Sequence, residues 1–249
     1  MKSIKNSVAL FASLILGLSP VLAQEKTVEV ASFDKVVISP HIEATLVEDG
    51  REKVIVEDSY VPLEKLNIKV EGNTLRIYLE GAKSYTKSEK VKYDGYKGRR
   101  ELYQGTQVVV TINYKHLKEL SIRGEENILL ESGLDQSDFE MYVYGESEVT
   151  INEVDLENLN VTMYGESRLK INDGQIDFQK YKAYGESEVH VLGVANREAK
   201  ITAYGESEFM VNVSDRLKVT SYGESDIHYK GNPSIDKGIL LGEYSLTKL

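Results

Sequence analysis

Through the middle of the chain, apolar and polar residues alternate in short runs. In the stretch from Met141 to Ile151, Val143, Ser147, Val149 and Ile151 fall on one side, and Tyr144, Glu146, Glu148 and Thr150 on the other. The same alternation returns with Val161, Met163, Leu169 and Ile171, with Val189 and Val191, and with Ile201, Ala203, Phe209 and Val211. A period of two marks a strand with one buried face. Each run is interrupted by a glycine, which takes backbone angles other residues avoid and so marks a bend.

The runs belong to an internal repeat. Tyr-Gly-Glu-Ser begins at Tyr144, Tyr164, Tyr184, Tyr204 and Tyr222, at spacings of 20, 20, 20 and 18 residues. Degenerate copies flank the series: Arg123-Gly124-Glu125-Glu126 before it and Leu241-Gly242-Glu243-Tyr244 after it. A unit of two short strands and one bend is too small to bury its own apolar face, so successive units must stack, with atypical units at the ends. The expected fold is all-β: a right-handed, single-stranded parallel β-helix, or solenoid, with repeats of about 20 residues. Seven bends make six steps, roughly 29 Å of stack at the spacing between strands. A propeller blade needs four strands in about 40 to 45 residues, and the leucine-rich and calcium-roll signatures do not occur. The segment 25–81 is β-patterned without repeating, with turns at Glu48-Asp49-Gly50-Arg51 and Glu71-Gly72-Asn73. It is expected to form the opening coils, or a β-rich cap, of one domain spanning 24–249.

Lys2 and Lys5 precede an apolar stretch from Val8 to Leu18, followed by Ser19-Pro20 and Ala23. This is the pattern of a signal peptide over 1–23. The stretch falls short of the roughly 20 residues that span a bilayer. The expected location is outside the cytoplasm: periplasm, outer surface or secreted. Formal charge is −10, and loss of Lys2 and Lys5 leaves 28 − 40 = −12, which disfavours nucleic acid as a partner. With no cysteine there are no disulfides or thiolate sites. Tyr 16 against Phe 5 and Trp 0 suits half-exposed surfaces.

Stacking turns repeated residues into columns. Tyr144, Tyr164, Tyr184, Tyr204 and Tyr222 form one outward column, and Glu146, Glu166, Glu186, Glu206 and Glu224 the next; together they are the candidate ligand-binding surface. Tyrosine offers sugars or peptides an apolar face and a polar tip, while the plainer role is shielding of the bend. Carboxylates 4.8 Å apart in water repel by roughly 0.9 kcal/mol, so the glutamates must splay or share cations; one carboxylate per rung supports at most diffuse calcium binding. Glu148, Arg168 and Glu188 alternate in sign and are expected to pair up the stack. Ser147, Ser167, Ser187, Ser207 and Ser225 form an inner column, for which hydroxyl-to-hydroxyl bonding is expected. No catalytic residue, metal site or cofactor is assigned.

The segment 82–104 differs in kind. Seven cations against Glu89, Asp94 and Glu101 give it a local charge of +4, interleaved with Tyr85, Tyr93, Tyr96 and Tyr103. It is either a solvated hairpin or a contact for an anionic partner, with Lys92, Lys97, Arg99 and Arg100 as its candidate residues.

The opening Phe33-Asp-Lys-Val-Val-Ile38, the stretch from Leu66 to Leu79, and Val108-Val-Val-Thr-Ile112 leading through Leu117 and Leu120 into a glycine-bearing ladder resemble the putative auto-transporter adhesin, head GIN domain family, from about Phe33 to the C-terminus. The resemblance implies an exported β-helical protein of a kind common in Bacteroidetes, and it transfers no catalytic residues. Two departures stand out: the family's Gly-Ser-Gly bends are Gly-Glu-Ser here, and Gly81 to Gly105 looks inserted. The function expected is that of a non-enzymatic cell-envelope adhesin or binding scaffold. The alternatives are a β-helical polysaccharide-processing enzyme and a structural protein that self-associates through its edge strands.

Overall fold

The computed structural model describes residues 26–93 and 96–249; the signal peptide expected at 1–23 lies outside them, as do Asp94 and Gly95. The first strands are β1 (Lys26–Glu29), β2 (Lys35–Ile38), β3 (Ile42–Glu48), β4 (Lys53–Ser59), β5 (Leu66–Glu71) and β6 (Thr74–Leu79). A hairpin of β7 (Ser88–Tyr93) and β8 (Tyr96–Glu101) follows, then β9 (Val108–Tyr114), β10 (Glu119–Gly124) and β11 (Asn127–Leu130). The ladder proper is β12 (Leu134–Gly145), β13 (Glu148–Gly165), β14 (Arg168–Tyr184) and β15 (Ser187–Lys230), closed by β16 (Ser234–Leu241) and β17 (Tyr244–Lys248).

The chain is the expected parallel β-solenoid. Strands β10, β12, β13, β14 and β15 pair in parallel, with Gly124 against Gly145 and Gly145 against Gly165. The column continues through Gly185, Gly205, Gly223 and Gly242, and each glycine lies directly over the carbonyl oxygen of the one below. All seven have φ between 107° and 137°, a region closed to side chains. Even at the roomiest positions, Gly185 and Gly205, a Cβ would come within 2.7 and 2.8 Å of that oxygen.

Each full rung has three faces rather than two. Leu159, Val161 and Met163 point inward, then Ser167, Leu169 and Ile171, then Ile176. The inward parity carries straight through the Gly165 bend and breaks at Asn172-Asp173 and again at Asp177-Phe178. The short third face explains the one 18-residue step. From Val191 the inward positions run through Val194 and Asn196 to Ala199, but from Val211 only through Val213 to Leu217, so the missing pair of residues comes out of that face.

Stacking makes the core a set of inner columns. Met141, Val161, Tyr181 and Ile201 align, beside Val143, Met163, Ala183 and Ala203. Tyr181 fits because Ala183, Ala199 and Ala203 around it are small and Phe209 meets it at 6.0 Å. Its hydroxyl donates to Gln179 Oε1 at 2.9 Å, and burial drives its pKa far upward. Tyr181, Tyr114 and Tyr103 are all buried, so tyrosine is not confined to the half-exposed surface expected from composition.

The N-terminal segment supplies both the first coils and the cap. Strands β2 and β3 form a rung beneath β10 and β11, and β6 and β9 form the rung beneath that. In the upper of these rungs the bend is Ser39-Pro40-His41, with His41 at φ 73° and Pro40 under Gly124. Below, β5 pairs antiparallel with β6, β4 with β9, and β1 with β4, which covers the lower edge that a parallel stack would leave open.

Two stability measurements test this account. Gly165→Ala forces a Cβ against rigid backbone at positive φ and should cost about 2–4 kcal/mol, of order 5–15 °C in melting temperature. Gly50→Ala, with open space around it, should be neutral within about 0.5 kcal/mol. Tyr114 is buried with no partner for its hydroxyl among the described residues, and burial first, then Glu48, pushes its pKa up to about 12. An acid whose pKa is raised on folding contributes in full below the unfolded value near 10, and its contribution is lost as pH rises from there to about 12. Tyr114→Phe should therefore preserve stability at neutral pH and resist unfolding by about 2–3 kcal/mol more than the parent near pH 12, read by denaturant melts across that range.

Candidate functional site

The bend edge brings the repeated residues together, beginning with the serines. Ser147 Oγ donates to the Gly124 carbonyl at 2.9 Å, and Ser167 Oγ to Gly145 at 2.8 Å. The backbone N–H groups of Glu146 and Glu166 donate to the same two oxygens. The expected hydroxyl-to-hydroxyl chain is thus replaced, in the lower rungs, by bonds to the carbonyls that the glycine bend leaves pointing along the stack. Among the described residues a serine hydroxyl pair occurs once, between Ser221 and Ser225 at 2.8 Å. Ser187 and Ser207, 1% and 6% exposed, have no partner for Oγ among the described residues.

The five tyrosines form a continuous parallel stack. Successive ring centroids lie 5.2, 4.7, 4.8 and 5.0 Å apart, with interplanar angles between 1° and 7°. Ring faces are therefore spent on one another, and what reaches solvent is a comb of ring edges and hydroxyls, with Tyr144, Tyr164 and Tyr204 near 40% exposed. The ends are closed as well. Arg123 takes the tyrosine position one rung down and sits 5.5 Å from the Tyr144 centroid, a cation–π contact. Leu241 pairs with Tyr222 at the top. These two caps were visible only as the degenerate first residues of the flanking copies. Stacking of a ligand on the ring faces, the contact such a column first suggests, is closed off by this geometry. Inside the stack, burial first and then Tyr164 and Tyr204 hold the Tyr184 hydroxyl above the usual phenol range.

Glu146, Glu166, Glu186, Glu206 and Glu224 are all exposed and line the side of the bend next to the tyrosines. A groove of about 420 Å³ runs between the first four of them and Glu148, Arg168, Glu188, Glu208 and Asp226, floored by serines. It carries eight carboxylates and one guanidinium. Arg168 Nε binds Glu188 at 2.7 Å and its Nη1 lies 3.9 Å from Glu148, the pairing expected from the alternating signs. The hydrogen bond to Arg168 is the main cause that lowers the Glu188 pKa. Among the described residues, no group of three or more His, Asp or Glu side chains is arranged to hold a metal ion.

The basic segment leaves the solenoid at the bend position of its lowest rung. Its base is packed rather than loose: Ala82 and Tyr103 are buried, Tyr103 donates to the Glu80 carbonyl at 2.9 Å, Ser39 Oγ to the Lys83 carbonyl at 2.7 Å, and His41 contacts Thr86 and Gly105. Only the β7–β8 hairpin stands apart. Its register sets Lys90 opposite Arg99 and Lys92 opposite Lys97. Of the four cations singled out from sequence, Lys92, Lys97 and Arg99 share one face with Lys90. Arg100 is on the other face, bound to Glu89 at 2.8 Å.

This architecture is that of a parallel β-solenoid with a repeat-built edge, and the comparisons with known proteins agree. The family model described as "Putative auto-transporter adhesin, head GIN domain" matches residues 32–233. The chain belongs to that family. A putative adhesin from Bacteroides fragilis NCTC 9343 superposes with a TM-score of 0.73 at 18% identity, over 90% of this chain and 96% of that one. A putative adhesin from Parabacteroides merdae ATCC 43184 gives 0.66 at 17% identity, over 90% and 95%. A protein from Parabacteroides distasonis ATCC 8503, described as a putative lipid binding protein, gives 0.61 at 20% identity, over 91% and 96%. At these identities the likeness establishes the fold. No curated protein matches the chain.

The stack predicts a graded response to substitution. Tyr184→Leu removes a ring with two stacked neighbours and should cost about 1–3 kcal/mol, while Tyr222→Leu, at the end of the stack with one ring neighbour, should cost about half as much. Phenolate titration should show that Tyr184→Leu removes a group ionising above the usual range.

Proposed function

We propose that the protein is an exported, non-enzymatic adhesin or binding scaffold of the cell envelope, which engages its ligand along the bend edge with the tyrosine hydroxyls and the flanking glutamates. The observation that carries this reading is the unbroken stack of five rings, closed at both ends, that presents only edges to solvent. Each rung then offers one phenol, able to donate and accept, beside a carboxylate that accepts. A polymer with many hydroxyls can meet several rungs at once, and linked weak contacts multiply into useful affinity. The ligand class that fits is a glycan lying along the stack. Repetition supports a binding rather than a catalytic role, because chemistry needs one singular constellation and this edge offers equivalent copies. Export is supported by the signal-like pattern over 1–23 and by membership of an adhesin family.

Replacing Tyr164, Tyr184 and Tyr204 together by Phe keeps the stack and removes three hydroxyls. On immobilised glycans and in whole-cell adhesion the triple variant should lose about tenfold or more in apparent affinity, with an unchanged melting temperature. Undiminished binding would mean that the column serves stability alone.

A further inference from the structure

The β7–β8 hairpin is built against its own electrostatics. Lys90 faces Arg99 and Lys92 faces Lys97 across the two strands, and like charges directly opposite destabilise a strand pair. Glu101 shares their face at the base of the hairpin, yet among the described residues none of the four forms a salt bridge. The bend groove carries the opposite imbalance, eight carboxylates to one guanidinium. On its floor, Ser187 and Ser207 are buried, and their hydroxyls have no hydrogen-bond partner among the described residues.

We propose that the cationic face of the hairpin docks into the acidic bend groove of a second copy of this chain, forming a two-fold dimer.

The dimensions agree. Hairpin strands of six residues extend about 20 Å, and the groove covers four rung steps from Glu146 to Asp226, about 19 Å. Position on the fold sets the symmetry. The hairpin leaves at the bend of the lowest rung, where its base contacts Ser39 and His41, so it lies on the same edge as the groove. The groove begins three rungs higher, about 14 Å away. Two copies placed edge to edge and antiparallel bring each hairpin to the other's groove, so the contact forms twice and closes. A parallel arrangement would set hairpin against hairpin and groove against groove, and like charge opposes it.

The proposal shares the glutamate column with the ligand reading above, so it is tested by association state in ligand-free buffer. Sedimentation velocity is run on protein purified after export, at low ionic strength and in about 1 M salt, where screening contracts to about 3 Å. The parent should dimerise in the first condition and dissociate in the second. Two variants follow: K90E/K92E/K97E/R99E, which reverses the hairpin, and E146K/E166K/E186K/E206K/E208K, which reverses the groove by leaving three carboxylates against six cations. Each should keep a cooperative melt and weaken self-association by about tenfold or more. Mixed one to one, they should form a heterodimer, because each reversed hairpin then meets a groove of opposite sign. A parent that stays monomeric at low ionic strength overturns the proposal. So does folded variant protein that self-associates like the parent, or a mixture that stays monomeric. A dimer indifferent to salt and to both reversals overturns it too, and points to the open edges of β16 and β17.

Discussion

The spacing between rungs governs this molecule. Parallel strands hydrogen-bond at about 4.8 Å, and once the chain commits to that repeat every residue is stacked on its counterpart one unit away. At the bend the commitment leaves no room. Each glycine rests on the carbonyl oxygen of the one beneath, at a backbone angle that a side chain would forbid. The tyrosine stack, the serine bonds to those same carbonyls and the glutamate column are all consequences of holding that bend in register.

The same spacing is favourable for rings and unfavourable for charges. Flat rings stack well near 5 Å, so the tyrosine column coheres, and Arg123 and Leu241 cover its end faces. Carboxylates at that distance repel. The fold answers one position further out, where Arg168 sits between Glu148 and Glu188. No equivalent cation stands in the glutamate column itself, so its charge is left for something outside the rung to balance.

The bend edge could be read from sequence because glycine and tyrosine recur at a fixed interval and mark it at every turn. The third face could not. It is only two inward residues long, and Asn172-Asp173 and Asp177-Phe178 reverse the parity on either side, so alternation never accumulates there. Tyr181 was hidden for a related reason: its burial depends on alanines at 183, 199 and 203, neighbours in space but mostly not in sequence. Serine bonding was misjudged because a column of identical hydroxyls suggests mutual partners, while the carbonyl that receives them belongs to glycine and carries no signature. The hairpin showed its charge openly. Which cations share a face follows from the register, and that exchanged Arg100 for Lys90.

Middle rungs of the ladder have nearly interchangeable surroundings: Tyr164, Tyr184 and Tyr204 each lie between two rings at almost the same distance. A unit of 20 residues can therefore be duplicated or excised with the tyrosine stack and the glycine bend re-formed across the junction. Tandem coding repeats recombine readily, and here recombination in whole units would leave the backbone ladder unbroken. The length of the bend edge becomes a heritable variable that changes in steps of about 4.8 Å, one phenol and one carboxylate at a time, between a cap at one end and a tapering rung at the other.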